Sequence, residues 1–191
     1  MKRKLSIIAV VTIAACAAPP PDTQAPRSRE EVTQTAAAAP ATTLSQRCTN
    51  SQFGISVAYP EGWHTNDGSV IPACSVFHPA PIELPRESEI PFELAVVLHV
   101  EKGPVDQLTR SSQWERVLSS TETTIGGRKA TRVEVEATGE GLANRGLRSL
   151  RYVVDLGGGR ALVATTHAVD GSYEQNKEVL RRMVESVTVG L

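Results

Sequence analysis

Glycine clusters at 126–127, 139–146 and 157–159 most constrain this chain. They cut its middle into runs too short and too closely spaced for anything but strands folded back on one another. Gly126-Gly127 joins Glu122–Ile125 to Arg128–Thr138 with the residues a tight hairpin turn demands. In the second run Thr131, Val133, Val135 and Ala137 share one face while Arg132, Glu134 and Glu136 share the other, so one side packs and the other is solvated. Gly139-Glu140-Gly141-Leu142-Ala143-Asn144-Arg145-Gly146 leads to a strand over Leu147–Leu156, and Gly157-Gly158-Gly159 leads to another over Arg160–His167. A phosphate loop would run from its glycines into a helix N-terminus. Residues 139–146 run from strand to strand, so a hairpin loop within an antiparallel meander is expected.

The flanks supply the rest of a core. Phe53–Tyr59 alternates at period two and reads as a first strand, closed by the turn Pro60-Glu61-Gly62-Trp63. Trp63 is large enough to cover one end of the core. Cys74–His78 reads as a second strand beside it, and the Pro79–Pro91 segment as a loop. Phe92–Glu101 is apolar at both parities, the pattern of a central strand covered on both faces. After Gly103-Pro104 a helix is expected, with Asp106 near its positive end and Val105, Leu108, Trp114, Val117 and Leu118 as a loose stripe that breaks near Ser111-Ser112. The last element is an amphipathic helix that opens on a capping box, Ser172-Tyr173-Glu174-Gln175. It buries Tyr173, Asn176, Leu180, Met183, Val184 and Val187.

The first 46 residues are of another kind. Lys2, Arg3 and Lys4 precede an apolar run, Leu5–Ala15, broken only by Ser6 and Thr12. That is the layout of an export signal, and it is too short to span a bilayer, which takes about 20 residues. Ile13-Ala14-Ala15-Cys16 resembles a bacterial lipobox, which implies cleavage before Cys16, acylation of its thiol and a palmitate-type membrane anchor. Without an aspartate after that cysteine, the choice of membrane stays open. Residues 17–46 hold five prolines, an alanine run and no aromatic side chain, so they read as a disordered tether with an end-to-end distance of roughly 30 Å. The expected division is signal peptide 1–15, tether 16–46 and one domain over 47–191.

A single domain of that length can bury a real core. The formal net charge of -1 includes Lys2, Arg3 and Lys4, and removing them leaves -4. With its charges interspersed, such a chain has no nucleic-acid footprint. Once Cys16 is assigned to lipid, Cys48 and Cys74 remain as an even pair in an oxidising compartment, and a disulfide is expected. The four histidines, His64, His78, His99 and His167, are scattered without metal-ligand spacing. No metal or cofactor is expected, though His78, His99 and His167 all lie on or beside strands and could cluster.

Phe53–Trp63, the Gly126-Gly127-Arg128-Lys129-Ala130 hairpin and the closing helix that runs into Ser186-Val187 together resemble the PsbP-like family. The resemblance implies an α+β fold, an α-β-α sandwich around a mostly antiparallel sheet. It also implies a non-enzymatic accessory or binding module of the cell envelope; the domain is expected to be monomeric. Two occupants of such a domain are open: a protein partner, held by a sheet face or the Pro79–Pro91 loop, or an apolar small molecule or lipid between sheet and helix with Trp63 and Trp114 at the mouth. A hydrolase reading has little to stand on, because Gly54-Ile55-Ser56-Val57-Ala58 falls short of a nucleophile elbow and lies inside a strand.

Overall fold

The computed structural model describes residues 43–84 and 93–190. The expected signal peptide, Cys16, the tether up to residue 42 and most of the proline-rich loop lie outside the described residues. The chain runs β1 (Leu44–Asn50), β2 (Ile55–Pro60), β3 (His64–Thr65), β4 (Val76–His78), β5 (Val96–Lys102), α1 (Val105–Leu108), β6 (Glu115–Ile125), β7 (Arg128–Ala137), β8 (Arg148–Gly157), β9 (Arg160–His167), α2 (Tyr173–Glu185) and β10 (Thr188–Val189). These form a seven-stranded sheet in the order β3-β4-β5-β9-β8-β7-β6 and a three-stranded sheet in the order β1-β2-β10. Every pairing among the described residues is antiparallel. The fold is α+β and dominated by strands.

The meander forms where the glycines put it. Gly126 and Gly127 both take positive φ, 54° and 75°, which a tight hairpin turn of this type requires and most side chains resist. In β7, Thr131, Val133, Val135 and Ala137 are buried as the alternation predicts. The opposite face is less solvated than expected. Ala130 is fully buried there, and Arg132, Glu134 and Glu136 are half-buried.

The main core lies between the large sheet and a layer made of α2 and the small sheet. Phe77, Leu98, Leu150, Val154 and Leu162 of the large sheet meet Leu180, Met183 and Val184 of the helix and Val57 of β2. Ser186 ties these layers together: its hydroxyl accepts the Ala58 amide at 2.8 Å and donates to the Met183 carbonyl at 2.6 Å. The second face of the sheet has a thinner cover. Val105 of α1 sits on Val153, Ala161 and Val163, and Leu94, Ile71, Ile82 and Leu84 cover Val76 and Val97. The sandwich thus has one full helix on one side and a single helical turn with loops on the other.

Four expectations are corrected. The first strand begins at Leu44, inside the span assigned to the tether, and Phe53 lies in the turn after it. The strand Cys74–His78 shortens to Val76–His78 and pairs with β3 and β5 in the large sheet rather than beside β2. The helix after Pro104 stops at Leu108; Trp114 immediately precedes β6, and Val117 and Leu118 belong to its start, where Leu118 occupies a bulge between Val117 and Ser119. The capping box does not form. Asp170 takes both the Ser172 amide and the Ser172 hydroxyl, so no side chain caps α2 from Ser172.

Candidate functional site

The two ends of the large sheet differ in character. Ile55 pairs with Val189, and the Val187 carbonyl lies 3.5 Å from a β-carbon placed on Gly126, so β2 starts at the end holding the β6–β7 turn. Pro60 and its partner Leu44 therefore lie at the other end. That second end also holds the start of β6, the 138–147 loop and residues 168–171 beyond β9. The chain joins its domain there.

At this end Trp114 is half exposed at 49% and Leu142 stands out at 73%. With Glu115, Gly141 and Ala143 they line an open cavity of about 360 Å³. Trp114 rests on Gly141 so closely that a β-carbon there would come 3.2 Å from its ring. Thr138 holds the turn by donating its hydroxyl to the Gln113 carbonyl at 2.6 Å and its amide to the Trp114 carbonyl at 2.9 Å. Val169, also exposed, lies at the same end, and Leu118 is the fourth residue of β6. Leu142 and Val169 carried no expectation from the sequence. The readable signal was a lone leucine in a glycine-rich turn, where no core position can claim it.

β6 is the second feature. It is an eleven-residue edge strand whose only strand neighbour among the described residues is β7, and most of its side chains are exposed. The Val117 amide donates to the Ser111 hydroxyl and the Ser112 amide donates to the Glu115 carbonyl, so the covered part is its start. From Ser119 to Thr124 the outer backbone faces away from the sheet. The bulge and the charges of Arg116 and Glu122 blunt this edge, but no described strand covers it.

The second sheet face carries a polar cluster. Arg151 donates through one nitrogen to both Glu115 oxygens, at 2.8 and 3.0 Å. Ser149 and His167 share a hydrogen bond of 2.7 Å. Burial, with the Arg151 charge beside it, pushes His167 down to about 4, so the ring is neutral near pH 7; the Glu115 carboxylate opposes this shift only in part. Ser149 is 4% exposed, which leaves its hydroxyl out of reach of a substrate. Ser56, of the elbow-like stretch, lies on β2 and donates to the Cys48 carbonyl. His99 pairs with Glu101 at 2.7 Å, and His78 accepts the Ala95 amide. His99 pairs with Val163, four residues from His167 along β9, a separation of about 13 Å at 3.3 Å per residue. No group of three histidine, cysteine or acidic side chains able to hold a metal occurs among the described residues.

The remaining predicted residues separate. Trp63 immediately precedes β3 and packs, partly buried, against the main core, while Trp114 precedes β6. These strands are the opposite edges of the large sheet, so the two tryptophans do not share a cavity. Cys48 and Cys74 are bonded, with Cα atoms 5.9 Å apart. Their bond crosses from β1 of the small sheet to the loop that feeds β4 of the large one. Asn66 braces that loop, accepting the Ser75 and Val76 amides and donating to the Ile71 and Pro72 carbonyls. Among the described residues no helix is long and apolar enough to cross a membrane.

No protein-family model matches the chain, and no curated protein matches it. Several solved structures are similar to it in fold. One is the solution structure of cyanobacterial PsbP from Synechocystis, at 13% identity and a TM-score of 0.46, covering 82% of this chain and 99% of that one. Another is the crystal structure of the Ran-binding protein Mog1p of Saccharomyces cerevisiae, at 11% identity and a TM-score of 0.43, covering 75% of this chain and 94% of that one. Both likenesses are distant and concern the course of the chain alone.

Proposed function

We propose that the chain is exported, acylated at Cys16, and displays a non-catalytic accessory domain that binds a protein partner by adding one of its strands to β6. The observation that carries this reading is the outer edge of β6 over Ser119–Thr124, which pairs with no described strand. An open edge is a template for main-chain hydrogen bonding, and an extended peptide can add to it with side chains alternating between the two faces. Ser119, Ser120, Thr121, Thr123 and Thr124 are small or β-branched, which suits pairing, and Glu122 is the one charge in the stretch. The Cys48–Cys74 bond supports export, because such bonds persist in oxidising compartments. The Lys2–Cys16 leader supports the anchor, since acyl chains bury about 0.8 kcal/mol per methylene.

Site-specific photocrosslinking in the source envelope tests this. A photoreactive side chain at Thr121 or Thr123 should yield a discrete adduct, and the same probe at Glu174, on the exposed side of α2, should not. Equal, diffuse labelling at both places would reject strand addition.

A further inference from the structure

We infer that the Trp114–Leu142 end of the domain is a membrane-contact surface, so that the tethered domain rests on the bilayer end-first. This rests on the lipid-anchor reading for how the domain reaches the membrane, but not for what it does there. Of the five large apolar side chains exposed among the described residues, Trp114, Leu142 and Val169 lie at the end where Leu44 begins the first strand, and Leu118 lies just beyond. The chain that precedes Leu44 leads back to Cys16, so this is the end nearest the anchor along the chain.

The layout favours a flat, fluid surface over a peptide. Val169 follows β9 while Trp114 precedes β6, three strands away, which spreads the apolar groups over about 14 Å at 4.8 Å per strand. A single peptide side chain fills one pocket, whereas a bilayer interface meets all of them together. Tryptophan prefers that interface, where its ring meets acyl chains and its N–H meets water. Charge does not drive the contact: Glu140 and Asp170 stand at this end beside Arg145 and Arg148. Insertion should therefore proceed on zwitterionic lipid and resist salt. A tether holds the tip at an effective concentration of order millimolar, so a weak intrinsic affinity suffices.

The test uses the full chain, matured in its source and reconstituted into phosphatidylcholine vesicles, with Trp63→Phe so that Trp114 is the sole indole. Brominated acyl chains should quench Trp114, and Leu142→Asp should restore its emission. Emission equal in brominated and plain vesicles, with full access to an aqueous quencher, would overturn the inference. So would emission shielded from both quenchers, because a protein partner would then cover the tip. An intact mass without acyl chains would sink the anchor reading alone, since vesicles added to the unacylated chain still report whether Trp114 enters lipid.

Discussion

Acidification should destabilise this domain through His167, and the size of the effect follows from its surroundings. The unfolded ring titrates at 6.5, whereas the folded one is held at about 4 by burial and the nearby Arg151 guanidinium. Between these values the unfolded state binds more protons, so stability falls as pH drops through that window and is constant above it. The full difference is worth about 3 kcal/mol, and between roughly pH 7.5 and pH 5 the loss is about 2 kcal/mol. The Ser149 hydroxyl, Arg151 and Glu115 are among the polar groups acting on the ring. His167→Gln keeps a partner for Ser149 and removes the titration. Urea unfolding at several pH values should give the wild type a loss about 2 kcal/mol greater than that of the variant between those limits. Hydrogen bonds and ion pairs hold the Glu101, Asp170 and Glu178 carboxyls below their usual range, so their losses come at lower pH and are common to both proteins. Parallel pH profiles for the two would show that His167 does not carry the loss.

Three further outcomes follow from the packing. Replacing Cys48 and Cys74 together by alanine should cost roughly 3 kcal/mol in denaturant unfolding, because the bond closes a loop of 26 residues and joins the two sheets; an unchanged midpoint would contradict that role. Ser186→Ala strands the Ala58 amide between the layers and should cost about 1–3 kcal/mol, measured the same way, with the fold retained by circular dichroism. Leu180→Ala, fully buried where α2 meets the sheet, should cost about 2–5 kcal/mol, and thermal unfolding would show a matching drop.

The meander and the final helix were legible because each carries an unbroken period and glycines at its ends. Thr131 to Ala137 alternate, and Tyr173, Asn176, Leu180, Met183 and Val184 recur at helical spacing; all of these are buried. β1 was not legible. Its residues, Leu-Ser-Gln-Arg-Cys-Thr-Asn, form the edge of the small sheet and are mostly exposed, so no apolar stripe marks them. β6 failed for a related reason. An edge strand of serine, threonine and glutamate buries almost nothing, and the bulge at Leu118 shifts its register, so the sparse apolar positions mimicked a loose helix. The capping box failed through competition: Asp170, two residues upstream, offers a charged acceptor that wins the Ser172 hydroxyl. The candidate site shared these difficulties. Trp114 was visible as a residue, but Leu142 and Val169 come from two separate loops that only the sheet order brings to the same end.

Strand addition at β6 is tested most directly by amide hydrogen exchange on the full chain, measured in its source membranes and again after purification. Ser119–Thr124 should gain protection in the membranes while β7, already paired on both sides, exchanges alike in the two preparations. Equal exchange of β6 in both would contradict strand addition.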